Sequence, residues 1–276
     1  VISEGLWFAE GITSYFDLAL TMLAGRSDRP TFLADLGEEL SRVQLTPGRR
    51  VQSLSDSARE AWVKLYKATA TSRDTQVSYY RLGAATAFCL DVRLRRRNSS
   101  LASLLRRFWG SHGITARGYH RTDIQALLAE FDPSLSDELA TWLDQPDSLP
   151  LDACTQELGL RLDPEMCSSP DSGMTLRDDG GAVLVSRVRP DGPAAKAALV
   201  PDDEVIAVHG RRLRRMSDLP GLLLGATPVP IVYARRGCLA ETQLIPDEAV
   251  DRWRLSWDPG ASLSQRALRD QWFQIL

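Results

Sequence analysis

Histidine is scarce in this chain of 276 residues, and neither an H-E-x-x-H string nor a C-x-x-C pair occurs in it. The three histidines, His112, His120 and His209, each lie more than a turn from any other histidine or cysteine, so local motifs assemble no complete metal site. The four cysteines (Cys89, Cys154, Cys167 and Cys238) are widely spaced, which excludes a zinc ribbon or a small disulfide scaffold and reads as buried free thiols. Free thiols in turn favour a reducing, cytoplasmic compartment. No uninterrupted apolar run approaches the roughly 18 residues that span a bilayer, so no membrane span is expected. An excess of either charge is lacking too: 33 Lys and Arg against 36 Asp and Glu leave −3, which gives no electrostatic reason to expect a nucleic-acid partner. The first residues have neither the basic segment nor the apolar core of a signal peptide, and Val1 reads as a cut or processed end. No G-x-S-x-G elbow is present, which removes the serine-hydrolase class.

What is present is an ordinary globular composition, long enough for about two domains. The stretch from Leu6 to Leu23 is apolar round most of its circumference, with Glu10, Thr13, Ser14 and Asp17 gathered on one stripe, and reads as a buried helix. Further helices are expected over Thr31–Val43, from Ser55 as N-cap to about Tyr66, over Ser78–Arg97, Leu101–Trp109, Thr122–Phe131 and Ser134–Leu143. Arg93, Arg95, Arg96 and Arg97 read as a solvated helix end favoured by the dipole, and not as a phosphate site. Around Asp144–Pro170 prolines break the pattern, and beyond residue 160 the period shifts toward two. Ala182–Val188, Glu204–His209, Pro230–Ala234 and Glu241–Ile245 read as strands, with short helices over Pro193–Ala198 and Ser217–Leu224. Ser262 and Gln265 form a capping box for a last helix that carries Trp272.

Glu10 is the first candidate for chemistry, because a carboxylate in so apolar a helix must be paired, hydrogen-bonded or metal-bound. Periodicity leaves open an ion pair with an arginine of a neighbouring helix. Tyr79 and Tyr80, at the start of a later helix, read on pattern alone as half-buried aromatics.

Five strings in order, Leu6–Tyr15 (LWFAEGITSY), Thr46–Arg49 (TPGR), Gln52–Leu54 (QSL), Ala61–Lys64 (AWVK) and Val77–Gly83 (VSYYRLG), resemble the M61 glycyl aminopeptidase family of zinc metallopeptidases. The resemblance implies a thermolysin-like (gluzincin) catalytic domain followed by a PDZ domain and a tail. Zincins of this kind hold the metal with two histidines of H-E-x-x-H and a glutamate on the next helix. By that match Glu10 is the glutamate ligand of a Zn2+ cofactor. Tyr80-Arg81-Leu82-Gly83 is similar to the Tyr-x-Lys-Gly string whose hydroxyl donates to the oxyanion, with Leu82 in place of the lysine; Tyr80 is then the catalytic tyrosine, with Tyr79 second. Both histidine ligands and the general base are expected upstream of Val1, so these residues alone are expected neither to bind zinc nor to hydrolyse peptides. His112 and His120 are not expected to substitute for them.

The later strings, Val185–Val188, Gly192–Leu199 and Asp203–Gly210, resemble PDZ modules. Gly173, Met174, Thr175 and Leu176 take the place of the loop that holds a peptide's terminal carboxylate, and Ala198 and Asp202 stand where such modules usually have glycine. Together these readings give a multidomain α and α+β chain. Residues 1–160 are the all-helical C-terminal lobe of the catalytic domain, 161–247 the PDZ-like domain and 248–276 the tail helix. The function implied is the C-terminal portion of an aminopeptidase that removes N-terminal glycine or alanine from peptide substrates, with a C-terminal peptide in the PDZ groove as a further partner. The alternative is a non-catalytic interaction protein in which a helical bundle and a PDZ-like module bind a partner, with Glu10 and Tyr80 as relics; for the PDZ-like domain itself, a structural role without a free peptide stands beside that of a working receptor.

Overall fold

The structure, a computed structural model, describes residues 3–69, 71–223 and 227–274. In chain order a π-helical turn (Trp7–Gly11) runs into α1 (Ile12–Leu23). It is followed by α2 (Arg29–Gln44), α3 (Leu54–Arg59), α4 (Ser72–Thr75), α5 (Tyr79–Arg95), α6 (Leu101–Phe108), α7 (Arg121–Ala129), α8 (Pro133–Asp144) and α9 (Leu151–Glu157). Then come β1 (Leu160–Met166), β2 (Met174–Asp179), β3 (Ala182–Val188), α10 (Pro193–Lys196), β4 (Glu204–Val208), β5 (Arg211–Arg212) and α11 (Leu219–Leu222). Strands β6 (Val229–Arg235), β7 (Cys238–Leu244) and β8 (Val250–Trp257) and helix α12 (Leu263–Phe273) complete the order. Two compact units result: Val1–Ala68 with Thr75–Pro164 and Arg252–Leu276, and Thr69–Asp74 with Glu165–Asp251. The break thus falls a few residues after the expected 160, and most of the tail belongs with the first unit instead of forming a piece of its own.

In the first unit α5 is the central element. Ala87, Phe88, Cys89, Leu90, Val92 and Leu94 are all at 0% exposure, so the helix is surrounded on every side. Its N-cap is Ser78, the first residue of the expected span, although the Ser78 side chain makes no capping hydrogen bond. The capping box of Ser262 and Gln265 starts α12, which buries Trp272 against Phe32 and Phe88. The Trp272 indole N–H donates to Tyr15 Oη (2.9 Å), whose own O–H donates to Asp91 Oδ2 (3.0 Å). Asp91 Oδ1 accepts from the Leu101 amide (2.7 Å) and from Arg95 (3.4 Å). Burial nevertheless raises the Asp91 carboxyl above its ordinary range.

Several local expectations change. Arg93, Arg95 and Arg97 are not a solvated helix end: Arg95 is buried against Asp91, Arg93 pairs with Glu138 and Glu157, and Arg97 pairs with Asp132. Only Arg96 of the four stays exposed, beside Glu157. The cap of α3 is Ser53, not Ser55, and the helix stops at Arg59, leaving residues 60–67 as a string of turns. Of the cysteines, Cys89 and Cys154 are buried, whereas Cys167 is half-buried and Cys238 exposed.

The second unit is a twisted antiparallel sheet in the order β2-β3-β4-β6-β7, with β5 paired to β4. Its core is β-branched, with Val183, Val185, Val205, Val208, Val229 and Ile231 on the inner face. The four expected strands are all present. The expected helix from Ser217 is a 3₁₀ turn plus α11, and Leu224 lies outside the described residues. Ala198 (φ 59°) and Asp202 (φ 71°) are left-handed, which accounts for the glycines usual at those positions. Asp203 is buried and takes two hydrogen bonds from Arg235, at 2.7 and 2.8 Å.

Candidate functional site

The site is built on a close crossing of two backbones. A Cβ placed on Gly11 would lie 2.5 Å from both Cα and C of Gly83, and one on Gly83 would lie 2.9 Å from Gly11 Cα and 3.0 Å from the Trp7 carbonyl oxygen. Only two glycines allow this approach. It sets the π-helical turn that carries Glu10 against the first turns of α5, where Tyr79 and Tyr80 lie. A π-helical turn is itself uncommon and tends to occur where a side chain must be re-aimed.

The approach to α5 is braced from the QSL string. Gln52, buried, accepts from the Val77 amide (2.9 Å) and donates to Glu60 (2.8 Å), and Ser57 Oγ donates to the Val77 carbonyl (2.6 Å). Gly48 lets residue 76 pass, since a Cβ there would meet Gln76 backbone atoms at 2.1 to 2.7 Å. Glu60 also pairs with Lys64 at 2.5 Å, so one braced frame holds both the run into α5 and the turns at 60–67.

Those turns deliver Tyr66, a residue that sequence reading treated merely as a helix end. Its hydroxyl lies 3.1 Å from Tyr79 Oη and 3.4 Å from Tyr80 Oη. The Tyr79 and Tyr80 rings stack at 4.6 Å, and Tyr66 stacks on Trp62 at 5.2 Å. Tyr79 is buried, Tyr80 half-buried and Tyr66 exposed. Burial, then its hydrogen bonds, pushes the Tyr79 phenol far above the ordinary tyrosine value; Tyr80 is raised chiefly by its hydrogen bond to Tyr66, while Tyr66 is lowered by its hydrogen bonds to Tyr79 and Tyr80. The charge of Glu10 is near enough to oppose ionisation of Tyr66 and Tyr80. A sequence signal for Tyr66 did exist: Trp62 and Tyr66 are two large aromatics at i, i+4 spacing in a polar stretch.

Glu10 is half-buried, and among the described residues its carboxylate has no ion-pair or hydrogen-bond partner; the neighbouring-helix arginine that periodicity left open is not there. A cavity of about 290 Å³ opens beside Tyr80 between α1, α2 and α5, lined by Ser14, Asp17, Leu36, Leu40 and Arg81 among others. The histidines are elsewhere. His112 is buried, stacks on Phe108 and bonds Ser111 Oγ (2.8 Å), and His120 caps α7. Among the described residues no group of three His, Cys, Asp or Glu side chains is arranged to hold a metal ion.

In the second unit Gly173 is left-handed (φ 70°) and accepts at its carbonyl from the Arg189 amide (2.7 Å). Met174, Thr175 and Leu176 are the first residues of β2 instead of a loop, with Met174 and Leu176 leaning on the core and Thr175 exposed. Strand β2 pairs with β3 on one side and ends the sheet order on the other.

This is a mixed helix-and-sheet protein whose helical unit collects a carboxylate and three phenols. Residues 1–86 match the model of the M61 glycyl aminopeptidase family. Among solved structures it is similar to an aminopeptidase N family protein from Idiomarina loihiensis, 27% identical with a TM-score of 0.84, covering 99% of this chain and 49% of that one. The chain therefore spans about half the length of that relative. An HtrA3 PDZ domain bound to a phage-derived ligand is 19% identical over 31% of this chain and 89% of its own. A serine endoprotease from Yersinia pestis is 24% identical over 29% of each chain. Their TM-scores of 0.28 and 0.26 are too low to carry an argument. No curated protein matches the sequence. Among the described residues no helix is long and apolar enough to cross a membrane.

Proposed function

We propose that these residues are the C-terminal part of a zinc aminopeptidase that removes glycine or alanine from the N-terminus of peptides. The observation that carries the reading is the Gly11–Gly83 crossing, which sets a half-buried carboxylate without a partner beside a cluster of tyrosine hydroxyls. Glu10 suits one arm of a zinc site, since a carboxylate in that position is stabilised by a cation. The remaining ligands, two histidines of an H-E-x-x-H helix, lie upstream of Val1 in this reading. When bound, zinc polarises the substrate carbonyl and lowers the pKa of its water. The chain's own part is to offer the Glu10 carboxylate, to present a phenolic O–H toward the carbonyl oxygen as it gains charge, and to leave room beside Tyr80 for the substrate. The Tyr-x-x-Gly match names Tyr80 as the donor, with Tyr79 behind it.

The open edge of β2 supports a second role for the second unit, addition of a peptide strand with its C-terminal carboxylate near Gly173. The full-length protein tests the main reading. Metal analysis of Glu10→Ala should find zinc lost, with hydrolysis of glycyl and alanyl substrates lost alongside; full zinc occupancy in that variant overturns the assignment.

A further inference from the structure

Tyr66 and Tyr79 meet through their hydroxyls, yet the chain that joins them does not stay in their unit. After the turns at 60–67 it leaves, Thr69–Asp74 fold with the second unit, and it returns at Thr75 to begin α5 at Tyr79. Gln52 ties the two feet of this excursion, accepting from the Val77 amide on one side and donating to Glu60 on the other. The Glu60 carbonyl in turn accepts from the Val63 and Lys64 amides. Between the feet, no described residue from Lys67 to Gln76 buries an apolar side chain, so hydrophobic burial does not hold the tip. Turns with so few apolar contacts open easily unless something else fixes them.

An ion pair grips the tip instead. Asp74, on α4, takes two hydrogen bonds from the Arg187 guanidinium of β3, one from Nε at 3.1 Å and one from Nη2. The two side chains are 9% and 19% exposed, which shields the pair from salt. A forked arginine–carboxylate pair fixes orientation as well as position. Tyr66 itself is exposed, and past its amide bond to the Ala61 carbonyl its backbone runs straight into the gripped stretch. We infer that Arg187 is a positioning residue for the tyrosine cluster: by holding Asp74 it keeps the Tyr66 turn in place against the hydroxyls of Tyr79 and Tyr80. The second unit is thereby part of the catalytic apparatus, with or without a peptide on its β2 edge. The inference rests on the aminopeptidase reading for the reaction it serves.

Hydrogen exchange in the full-length protein reads the grip directly. Arg187→Gln and Asp74→Asn should each speed exchange of the Tyr66 and Lys67 amides, which bond the Ala61 and Lys64 carbonyls, by about 10-fold, with the paired amides of β6 and β7 unchanged. Faster exchange confined to residues 69–76, or found nowhere, overturns the inference. Arg187→Lys, which keeps the charge and loses the fork, decides the matter in the same way if either variant disturbs the sheet. With zinc bound, both variants should lower kcat on glycyl substrates about 10- to 100-fold at unchanged KM and metal content. The double variant should lose no more than the worse single one, because both changes break one contact. Losses that multiply, or full turnover in folded variants, overturn the positioning role. A parent protein without zinc or glycyl activity overturns the aminopeptidase reading and the reaction served, while the exchange result still decides whether Arg187 holds the tyrosine turns.

Discussion

Replacing Gly11 by alanine adds one methyl group at the tightest point of the helical unit. Its carbon would lie 2.5 Å from two backbone atoms of Gly83 and 3.0 Å from the Ala84 nitrogen, so ordinary contact requires the backbones to part by about 1 Å. Neither side can yield by rotating a side chain. From Ala85 to Val92 every residue of α5 is buried, and Trp7 and Phe8, which precede Gly11, are at 1% and 7% exposure. Over-packing of this kind costs about 1–3 kcal/mol, and the upper end applies where backbone meets backbone. Alanine's better helix propensity returns about 1 kcal/mol, which leaves a net loss of about 2 kcal/mol. For a domain of this size that lowers Tm by about 4–8 °C. Differential scanning calorimetry of Gly11→Ala measures it. The control is Gly110→Ala, where an added Cβ meets nothing within 4 Å and Tm should hold or rise. If Gly11→Ala melts at or above the parent temperature, the crossing is looser than argued and cannot be what holds Glu10 near the tyrosines.

Two predictions concern the second unit. Ala198→Gly should stabilise it by about 1 kcal/mol, since alanine pays for a left-handed φ of 59° that glycine adopts freely; denaturant unfolding with no gain in midpoint would count against that strain. Burial alone would raise the Asp203 carboxyl, but hydrogen bonds from Arg235 and the Val200 amide outweigh it and hold the group below its ordinary value of 3.8. A depressed folded-state value gives stability that is present above 3.8 and is lost as pH falls through the lower folded value, so this unit should weaken in that acid window. Asp203→Asn should flatten that part of a stability-against-pH curve, and an unchanged acid limb would refute the link.

Much of the fold was legible because its signals are local. Ser78 before an apolar run, the Ser262–Gln265 box and the alternation of Ala182–Val188 each declare an element within a few residues. What failed depended on distant partners. Ser55 looks as good a cap as Ser53, but its hydroxyl is taken by Asp144, 89 residues on. The arginines after Val92 look solvated until Glu138, Glu157 and Asp132 arrive from other helices. Among the described residues strands β1 and β8 pair only with each other, across some ninety residues, and Pro164 disguises the first of them. The same holds for the site. Glu10, Tyr79 and Tyr80 were marked by their strings, while Tyr66 gained its meaning only when the turns at 60–67 brought it to them.

The bond between Trp272 and Tyr15 joins residues 257 positions apart, and it bears on the order in which the molecule can be made. The helical core has a hole where Trp272 belongs until α12 has left the ribosome. The sheet of the second unit, by contrast, is complete in sequence once Leu244 is out. Synthesis should therefore finish the sheet first and leave the helical part waiting, its apolar interior open to chaperones or to aggregation, until α12 is released. Loss of α12 would strike at Tyr15 and Asp91 in the heart of that core, distant along the chain from the segment removed.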